Sequence, residues 1–288
     1  MLNNVDLVTI TCARDFSIQQ LQSYSMELML TEPCDHYIVV EDSKLDLETW
    51  HNMLDQYYVR HRLHLISGTS LISSAGYAND SYKKNGWHRS AVLKLLISKH
   101  IQSKKYLILD SKNFFVHSQT LMDWPIQDGN GLVTKYNCHG WTEIEEFCLK
   151  HSLPLPSEVY MSAMPFMVDT NIVKEIVKYD IETLFFDKQQ WWSSEVLIYS
   201  IFTQHAGNQL QPQLVPNVTF WNTERQLSIE TLKDIHNWTN MRSFGLHRHV
   251  VELGTNLHDL TEFLIELGFD RKTVEHTLEQ YRQGIKND

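Results

Sequence analysis

A buried strand that ends in an acidic turn lies near the middle of this sequence. Four apolar residues, 106–109, run directly into Asp110, and a second apolar run, 114–116, leaves the polar turn that follows. An uninterrupted apolar run of this length is typical of a parallel strand that is covered on both faces. Because ligands of open α/β sheets bind outside the carboxyl ends of the strands, the pattern predicts a binding site beside Asp110.

Strand and helix patterns alternate along the first part of the chain. The predicted strands cover residues 5–12, 36–40 and 63–66, and amphipathic helices cover residues 16–30 and 45–58. This alternation predicts an α/β fold in which helices flank a mostly parallel central sheet with right-handed crossovers.

A polar segment follows these elements. Residues 67–85 are rich in Gly, Ser, Asn and Tyr and show little periodicity, so they are predicted to form a loop. Two interpretations stay open for this loop, namely a lid or substrate wall, and a plain surface insertion.

Polar residues follow the predicted strands at one edge of the sheet. Arg14 comes directly after the first strand, and Asp15 is the predicted N-cap of the next helix. Asp42 lies in the acidic turn that ends the second strand, where it is expected either to bind a nucleotide or to cap the following helix. Arg89 lies on the predicted helix 86–96 and is expected to point towards the same edge.

Three short motifs surround the central strand. They are G-W-x-R at 86–89, L-K-L at 93–95 and Y-L-I-L-D-S-x-N-F-F at 106–115. In this order they resemble the core of the GT-A nucleotide-sugar glycosyltransferases, particularly a little-characterised bacterial group whose strand usually ends in a D-x-D signature. In those enzymes the turn holds a divalent cation against the donor diphosphate. Asp110 matches the first Asp of that signature, but Lys112 stands where the second is expected.

The resemblance implies a GT-A-like, Rossmann-like domain, which we place at residues 1–250. Residues 251–288 contain two further helical patterns, 257–267 and 271–282, and Asp270 is the expected cap of the second. These patterns predict a helical hairpin that packs on the domain or forms an oligomer contact.

The predicted donor site consists of polar residues from these motifs and from the ends of the predicted strands. Basic groups are required because the leaving diphosphate gains negative charge as the anomeric carbon becomes positive. The resemblance also implies a histidine near the end of the domain. The residues expected to bind the donor or its nucleotide are Thr9, Arg14, Asp42, Arg89, Lys94, Lys112, Asn113, His247 and His249.

Glu195 is predicted to lie in the first turn of an amphipathic helix. An aromatic-rich segment, 185–192, precedes it, and Ser193 or Ser194 is the expected N-cap. The resemblance implies an acidic residue at the start of such a helix, facing the acceptor hydroxyl. Asp110 and Glu195 are therefore the predicted catalytic residues, and the alternative for Glu195 is that it only stabilises the helix start.

The turn after the central strand offers a divalent cation one strong anionic ligand. If magnesium or manganese is used, Asp110 and His247 are the expected ligands, but the Lys112 ammonium repels a cation at this position. We therefore predict no certain cofactor and donor binding that depends only weakly on Mg²⁺ or Mn²⁺.

Composition and motif searches narrow the function classes. The formal net charge of -10 disfavours nucleic acid as a partner. Neither G-x-G-x-x-G nor G-x-x-x-x-G-K-[ST] occurs, which argues against dinucleotide and P-loop sites. No apolar run approaches the ~18 residues of a membrane span, the N-terminus lacks a signal-peptide layout, and the cysteines form no C-x-x-C pair. These features predict a cytoplasmic chain with reduced cysteines.

Three functions remain open. The first is transfer of a sugar from a nucleoside diphosphate sugar to a glycan or another hydroxyl acceptor. The second is a catalytically inactive module that binds sugar nucleotides or glycans, which the missing second Asp favours. The third is nucleotidyl transfer on a related sheet, for which a basic Gly-rich loop after the first strand is expected and does not occur.

Overall fold

Helices and strands alternate in the computed structural model, which describes residues 5–41, 46–77, 86–121, 134–137, 142–161, 164–179, 181, 195–207, 217–220, 230, 232–234, 243–246 and 257–286. We number the elements of these residues in chain order. The first are β1 (Val5–Thr11), α1 (Phe16–Met29), β2 (Asp35–Val40), α2 (Leu47–Leu54), β3 (Arg62–Ser67), α3 (Gly68–Ser74), α4 (Gly86–Leu96), β4 (Lys105–Asp110) and β5 (Asn113–Phe115). The others are β6 (Thr134–Asn137), α5 (Thr142–Lys150), β7 (Glu158–Met161), β8 (Phe166–Asp169), α6 (Thr170–Ile176), α7 (Glu195–His205), β9 (Asn217–Phe220), β10 (Ser243–Leu246), α8 (Leu257–Glu266) and α9 (Arg271–Lys286).

Five of the described strands form the main sheet, in the order β3-β2-β1-β4-β8. β1, β2, β3 and β4 are parallel, and β8 pairs with β4 in the antiparallel direction. Ile10 is paired with Asp110 and Thr11 with Val40, so β1, β2 and β4 end at the same edge. The predicted α/β fold, with a mostly parallel sheet flanked by helices, is confirmed.

The two faces of β1 belong to two different core clusters. Val8 and Ile10 pack with α4, α6 and α7 on one face, whereas Val5 and Leu7 pack with α1, α8 and α9 on the other. Successive side chains of a strand point to opposite faces, and all seven residues of β1 are buried, so both faces of this strand are covered. This arrangement leaves the strand ends, and not the faces, open to a ligand.

The C-terminal helices pack against α1. Val274 and Leu278 of α9 are buried in the cluster that contains Leu21 of α1. Both helices lie where the sequence predicts helical patterns, and the Asp270 carboxylate caps α9 by accepting a hydrogen bond from the Thr273 amide at 2.8 Å. The predicted domain boundary at residue 250 lies outside the described residues. Across the described part of the chain, no helix combines the length and apolar character needed to cross a membrane.

The prediction of a loop at residues 67–85 is partly wrong. Residues 68–74 form the helix α3, whose N-cap is the Ser67 side chain, which accepts a hydrogen bond from the Ser70 amide at 3.2 Å. Leu71 and Ile72 are the apolar residues that α3 buries. Two adjacent apolar residues in a polar segment produce no helical periodicity, which is why the sequence pattern misses this short helix.

Candidate active site

A cleft of about 420 Å³ opens at the carboxyl edge of the main sheet. It lies where β1, β2 and β4 end, and the first residues of α4 and α7 contribute to its walls. Both signs of charge meet there, at the edge where ligands of open α/β sheets bind. The charged lining residues are Arg14, Asp15, Glu41, Lys94, Asp110, Lys112 and Glu195.

Lys94 bridges two of the carboxylates in the cleft. Its ammonium nitrogen, Nζ, lies 3.3 Å from Oδ1 of Asp110 and 2.8 Å from Oε1 of Glu195. Only 8% of the Lys94 side chain and 7% of the Glu195 side chain are exposed. Lys94 belongs to α4 and Glu195 is the first residue of α7, so the bridge ties two helices to the end of β4.

The bridge fixes the charges of Asp110 and Lys94. Burial by itself raises the pKa of the Asp110 carboxyl, but the ammonium groups of Lys94 and Lys112 outweigh burial and hold this pKa below its usual range. Burial by itself lowers the pKa of the Lys94 ammonium, but the Asp110 and Glu195 carboxylates hold it above its usual range. Asp110 is therefore ionised and Lys94 protonated at neutral pH.

Two side chains hold the turn after β4 from below. The Asn113 side-chain oxygen accepts a hydrogen bond from the Asp110 amide at 2.9 Å, which closes the turn. The side-chain amide nitrogen of Gln22 donates to the carbonyl oxygens of Asp110 and Asn113, both at 2.7 Å. Gln22 lies on α1, so the position of the turn depends on the helix that packs beneath it.

The middle of the turn is held by other contacts. Asp15 is the N-cap residue of α1, as predicted, but its side chain makes no cap bond to the helix. Its carboxylate instead accepts a hydrogen bond from the Ser111 hydroxyl at 2.8 Å. The Leu246 amide of β10 donates to the Lys112 carbonyl at 3.1 Å. The Lys112 ammonium lies 3.5 Å from Oδ2 of Asp110, and 23% of the Lys112 side chain is exposed. A ligand in the cleft can therefore reach Lys112.

A chain of buried hydrogen bonds extends from Gln22 into the core. Because Gln22 donates to two carbonyl oxygens, its own side-chain oxygen accepts the Thr9 hydroxyl proton at 2.8 Å. The Thr9 oxygen then accepts from Nε2 of His36 at 2.9 Å, and Nδ1 of His36 accepts from the Tyr58 hydroxyl at 2.7 Å. Burial lowers the pKa of His36 to about 3, so the imidazole stays neutral, as this order of donors requires.

Residues 17–240 match the family described as "Family of unknown function (DUF6492)". The chain belongs to this family. The matched region contains Gln22, Lys94, Asp110 and Glu195, whereas β1 and the C-terminal hairpin lie outside it. No functionally curated protein matches the sequence.

Three solved structures are similar to this DUF6492 chain at low identity. Mouse xyloside xylosyltransferase 1 in its apo form is 8% identical with a TM-score of 0.46, and the match covers 85% of this chain and 98% of that one. The apo WbbM bifunctional glycosyltransferase is 13% identical with a TM-score of 0.49, covering 85% of this chain but only 46% of WbbM. The galactosyltransferase LgtC, in complex with donor and acceptor sugar analogues, is 12% identical with a TM-score of 0.46, covering 91% and 95%. At TM-scores below 0.5, these similarities assign no activity to the DUF6492 chain.

Five of the predicted site residues line the cleft of the DUF6492 chain. They are Arg14, Lys94, Asp110, Lys112 and Glu195. The cleft therefore brings together both predicted catalytic acids and three of the predicted basic groups. Three further predicted donor-site residues, Asp42, His247 and His249, lie outside the described residues, as do the predicted caps Ser193 and Ser194.

The other three predicted donor-binding residues are buried and do not belong to the cleft lining. Thr9 lies two residues before the end of β1, on the α1 face, and Asn113 bonds to the turn itself, so both support the turn from below. Arg89 is buried on α4, and its Nη2 donates to the Thr69 hydroxyl at 3.1 Å. The observed contacts of Thr9 and Asn113 are supporting ones, and direct contact of Thr9, Asn113 or Arg89 with a donor stays a prediction.

The residues of this cleft do not fit the divalent cation that the resemblance implies. Lys94 lies beside Oδ1 of Asp110, and Lys112 lies beside Oδ2. Mg²⁺ and similar hard cations require several oxygen ligands at about 2 Å, and two adjacent ammonium groups repel them. Within the described residues, no three His, Cys, Asp or Glu side chains are grouped so that they could hold a metal ion.

The sequence analysis missed several residues that form or support the cleft. Glu41 follows β2 directly and lines the cleft, so the strand-end rule that selected Asp42 also applies to Glu41. Thr11 ends β1, and its buried hydroxyl oxygen has no hydrogen-bond partner among the described residues. The sequence signal for Gln22 is that the polar residues of α1 are mostly uncharged Gln and Ser, and the structure buries all six of these.

Proposed function

We propose that this chain is a glycosyltransferase that moves a sugar from a nucleoside diphosphate sugar to a hydroxyl group of a glycan or another acceptor. The observation that carries the proposal is the Lys94 bridge. Asp110 and Glu195 were selected from sequence as the catalytic acids, and both contact the same buried ammonium at the ligand edge of the sheet. The order of motifs around β4 supports the same activity by resemblance.

The exposed basic groups of the cleft suit a diphosphate. During transfer the bond between the anomeric carbon and the diphosphate oxygen breaks, so negative charge develops on the leaving group. Lys112 and Arg14 line the cleft, and we assign them to the diphosphate oxygens. Lys112 is favoured because its partner Asp110 is also held by Lys94, so Asp110 stays paired when Lys112 turns towards a phosphate.

The two carboxylates suit the opposite charge. As the diphosphate leaves, the anomeric carbon becomes oxocarbenium-like, and the ionised Asp110 stabilises this positive charge and orients the donor sugar. The acceptor oxygen forms the new bond to the anomeric carbon and gives up its proton. We assign this proton to Oε2 of Glu195, because Lys94 contacts the other oxygen, Oε1.

The proposal includes no metal step. Lys94 and Lys112 supply positive charge around Asp110, where the resembling enzymes hold a cation. We therefore propose that donor binding requires neither Mg²⁺ nor Mn²⁺.

We also propose the domain organisation and the cellular location that the sequence predicts. They are a glycosyltransferase domain at residues 1–250, a C-terminal hairpin at 251–288 that is available for oligomer contacts, and a cytoplasmic location. Cys12, Cys34 and Cys148 are free thiols, which suits a reducing compartment.

A donor screen tests the proposed function. The thermal unfolding midpoint is measured with a panel of nucleoside diphosphate sugars, each with EDTA and with manganese. A ligand at ~100 times its Kd stabilises the folded chain by about 2.7 kcal/mol, which is measurable. Release of nucleoside diphosphate in the presence of glycan acceptors then reports turnover.

Each outcome of the screen favours one function. A donor that binds and releases its nucleotide only when an acceptor is present supports glycosyl transfer. A donor that binds without transfer to any acceptor supports the inactive binding module. If no nucleoside diphosphate sugar stabilises the chain, the proposed function is wrong.

A further inference from the structure

The Lys94 ammonium lies in a shielded position between two carboxylates. It is 3.3 Å from an oxygen of Asp110 and 2.8 Å from an oxygen of Glu195, and 8% of its side chain is exposed. Lys112 contacts the other Asp110 oxygen but is nearly three times as exposed. Lys94 is therefore the positive charge that both predicted catalytic acids share.

With the ammonium removed, the limit that these distances set on the separation of the two oxygens is compatible with a metal ion. The bonded oxygens of Asp110 and Glu195 lie within about 6 Å of each other, because both contact the same nitrogen. Two oxygens on opposite sides of a small divalent cation are separated by about 4.2 Å, which falls within that limit. Proteins usually bind Mg²⁺ with one or two carboxylates, and water and substrate phosphates complete the ligand set.

The backbone around this position is held by contacts that do not involve the ammonium. The Tyr106 hydroxyl donates to the Lys94 carbonyl at 3.0 Å, and Leu93 and Leu95 on either side are buried. The Gln22 and Asn113 bonds fix the turn that carries Asp110. A substitution that removes only the charge of Lys94 is therefore expected to leave the turn and Asp110 in place. Glu195 begins a helix whose next residues, Val196 and Leu197, are buried, so its backbone is expected to stay in place as well.

We propose that the Lys94 ammonium fills the position between Asp110 and Glu195 that a divalent cation would otherwise take, and that removing it turns these two carboxylates into a divalent cation site. In the native chain the Lys94 ammonium supplies this positive charge, so no cation from solution is required. This inference concerns the cation alone and does not depend on glycosyl transfer.

Manganese binding to the purified chain, without any nucleotide, tests the proposal. Loss of the free Mn²⁺ signal in electron paramagnetic resonance reports binding, and the thermal unfolding midpoint is measured with Mn²⁺ and with EDTA. Lys94→Met is expected to bind one Mn²⁺ with a Kd on the order of 0.1 to 1 mM. Its midpoint is expected to rise by several degrees with Mn²⁺, and the wild type is expected to bind at least ~10-fold more weakly.

Two further variants control for charge and for the identity of the ligands. Lys112→Met removes the other ammonium that contacts Asp110 but leaves Lys94, so it is expected to bind Mn²⁺ as weakly as the wild type. Asp110→Asn, added to Lys94→Met, removes a ligand and is expected to abolish the new binding. If Lys112→Met gains as much affinity as Lys94→Met, the effect is one of general charge and the proposal is wrong.

Two other results would overturn the proposal. One is tight Mn²⁺ binding by the wild type that Asp110→Asn removes, because the cation and Lys94 would then occupy the cleft together. The other is a cooperatively folded Lys94→Met chain that does not respond to Mn²⁺. If Lys94→Met does not fold in EDTA, recovery of cooperative unfolding in Mn²⁺ supports the proposal, and failure to fold in both conditions, repeated for Lys94→Gln, counts against it.

Discussion

At the scale of single residues, the cleft is defined by how its charges are paired. Asp110 has one ammonium beside each of its oxygens, but Lys112 is more exposed than Lys94 and has a longer contact, 3.5 Å against 3.3 Å. A partly exposed ion pair contributes little to stability, so Lys112 can exchange Asp110 for an anionic ligand with a small loss of free energy. Lys94 is shielded from solvent and also contacts Glu195, so it is expected to stay in place.

Lys112→Ala is expected to weaken binding of the nucleoside diphosphate about 10-fold, which corresponds to about 1.4 kcal/mol, because a charge-assisted contact to phosphate is lost. Calorimetric titration in EDTA and then in manganese measures this, and the wild-type affinity is expected to be similar in both. Lys178→Ala is the matched control, because Lys178 pairs with Glu175 on the exposed surface. Tight binding by the wild type in manganese alone would show that a metal-dependent mechanism survives.

Glu195→Gln is expected to lower kcat about 10²- to 10³-fold while the affinity for the donor changes by less than about 3-fold. The amide keeps the size of the side chain but cannot accept the acceptor proton. Steady-state kinetics of nucleotide release, together with donor titration, separates the two effects. Glu175→Gln, at an exposed glutamate, is the control. A variant with full turnover would leave Glu195 with only the role of a helix-start residue.

At the scale of elements, α1 and the turn after β4 act as one unit. α1 buries uncharged polar side chains, and Gln22 connects it to both ends of the turn. The hydrogen bonds of Gln22 continue through Thr9 to His36. In such a buried network, a polar group that loses its partner is costly, because water cannot replace the partner. The position of Asp110 therefore depends on a helix that contributes no charge to the site.

Gln22→Leu is expected to lower the free energy of unfolding by about 2 to 4 kcal/mol, because two turn carbonyls and the Thr9 hydroxyl lose their partner in a buried site. It is also expected to reduce kcat more than the donor affinity, since Asp110 is no longer fixed. Urea unfolding and kinetics measure the two effects.

Thr203→Val is the matched control for Gln22→Leu, because the buried Thr203 hydroxyl donates within its own helix, to the Tyr199 carbonyl at 2.8 Å. Equal losses of kcat in both variants would show that Gln22 has no particular role in positioning the turn.

Elements with a clear hydrophobic period are the ones that the sequence predicts well. β2 begins one residue before the predicted strand, and β4 ends at Asp110 as predicted. α3 was missed because its seven residues carry one adjacent apolar pair, which defines no face. Local pattern therefore predicts long elements and strand ends, and it fails where a short helix depends on a capping serine.

The site was predictable as a set of strand and helix ends, but not as a set of contacts. The sequence predicts Asp110 at a strand end and Glu195 at a helix start, whereas the role of Glu195 and the choice of Lys94 come from the resemblance. The bridge between Lys94 and Glu195 joins residues 101 positions apart, and nothing in the local sequence encodes that pairing. The same holds for Gln22 and the turn carbonyls, because their contact exists only once α1 packs under the sheet.

At the scale of the whole molecule, the pKa of a buried carboxyl group is shifted in opposite directions at the two ends of the parallel strands. At the carboxyl edge, Asp110 is paired with two lysines and its pKa is held below the usual range. Near the other edge, Asp6 of β1 is 2% exposed, and burial raises its pKa to about 6, an effect that Ser103 hydrogen bonds reduce and Asp35 increases. The carboxyl edge thus stabilises an ionised carboxylate, whereas the opposite edge favours a neutral carboxyl group at mildly acidic pH.

Asp6 is therefore expected to make the folded chain less stable as the pH rises. Its pKa is about 6 in the folded chain, against 3.8 for a solvated aspartate, which represents the unfolded chain. Between these values the folded state binds more protons than the unfolded state, so the contribution to stability is complete below pH ~4 and is lost as the pH approaches 6. The loss amounts to about 3 kcal/mol, since one pKa unit corresponds to about 1.4 kcal/mol.

Asp6→Asn removes this titration, and urea unfolding of the variant and the wild type at several values between pH 4 and pH 7 measures the difference. Other carboxyl groups titrate in both chains, so their effects cancel in the difference between the two free energies of unfolding. That difference is expected to shift in favour of the variant by about 3 kcal/mol from pH 4 to pH 7. Asp35→Asn is the comparison. It removes a charge that raises the Asp6 pKa but leaves the Asp6 carboxyl in place, so its free energy of unfolding relative to the wild type is expected to change less with pH. A difference between Asp6→Asn and the wild type that stays constant across this range would show that Asp6 is ionised in the folded chain throughout, and that its burial is offset by polar contacts.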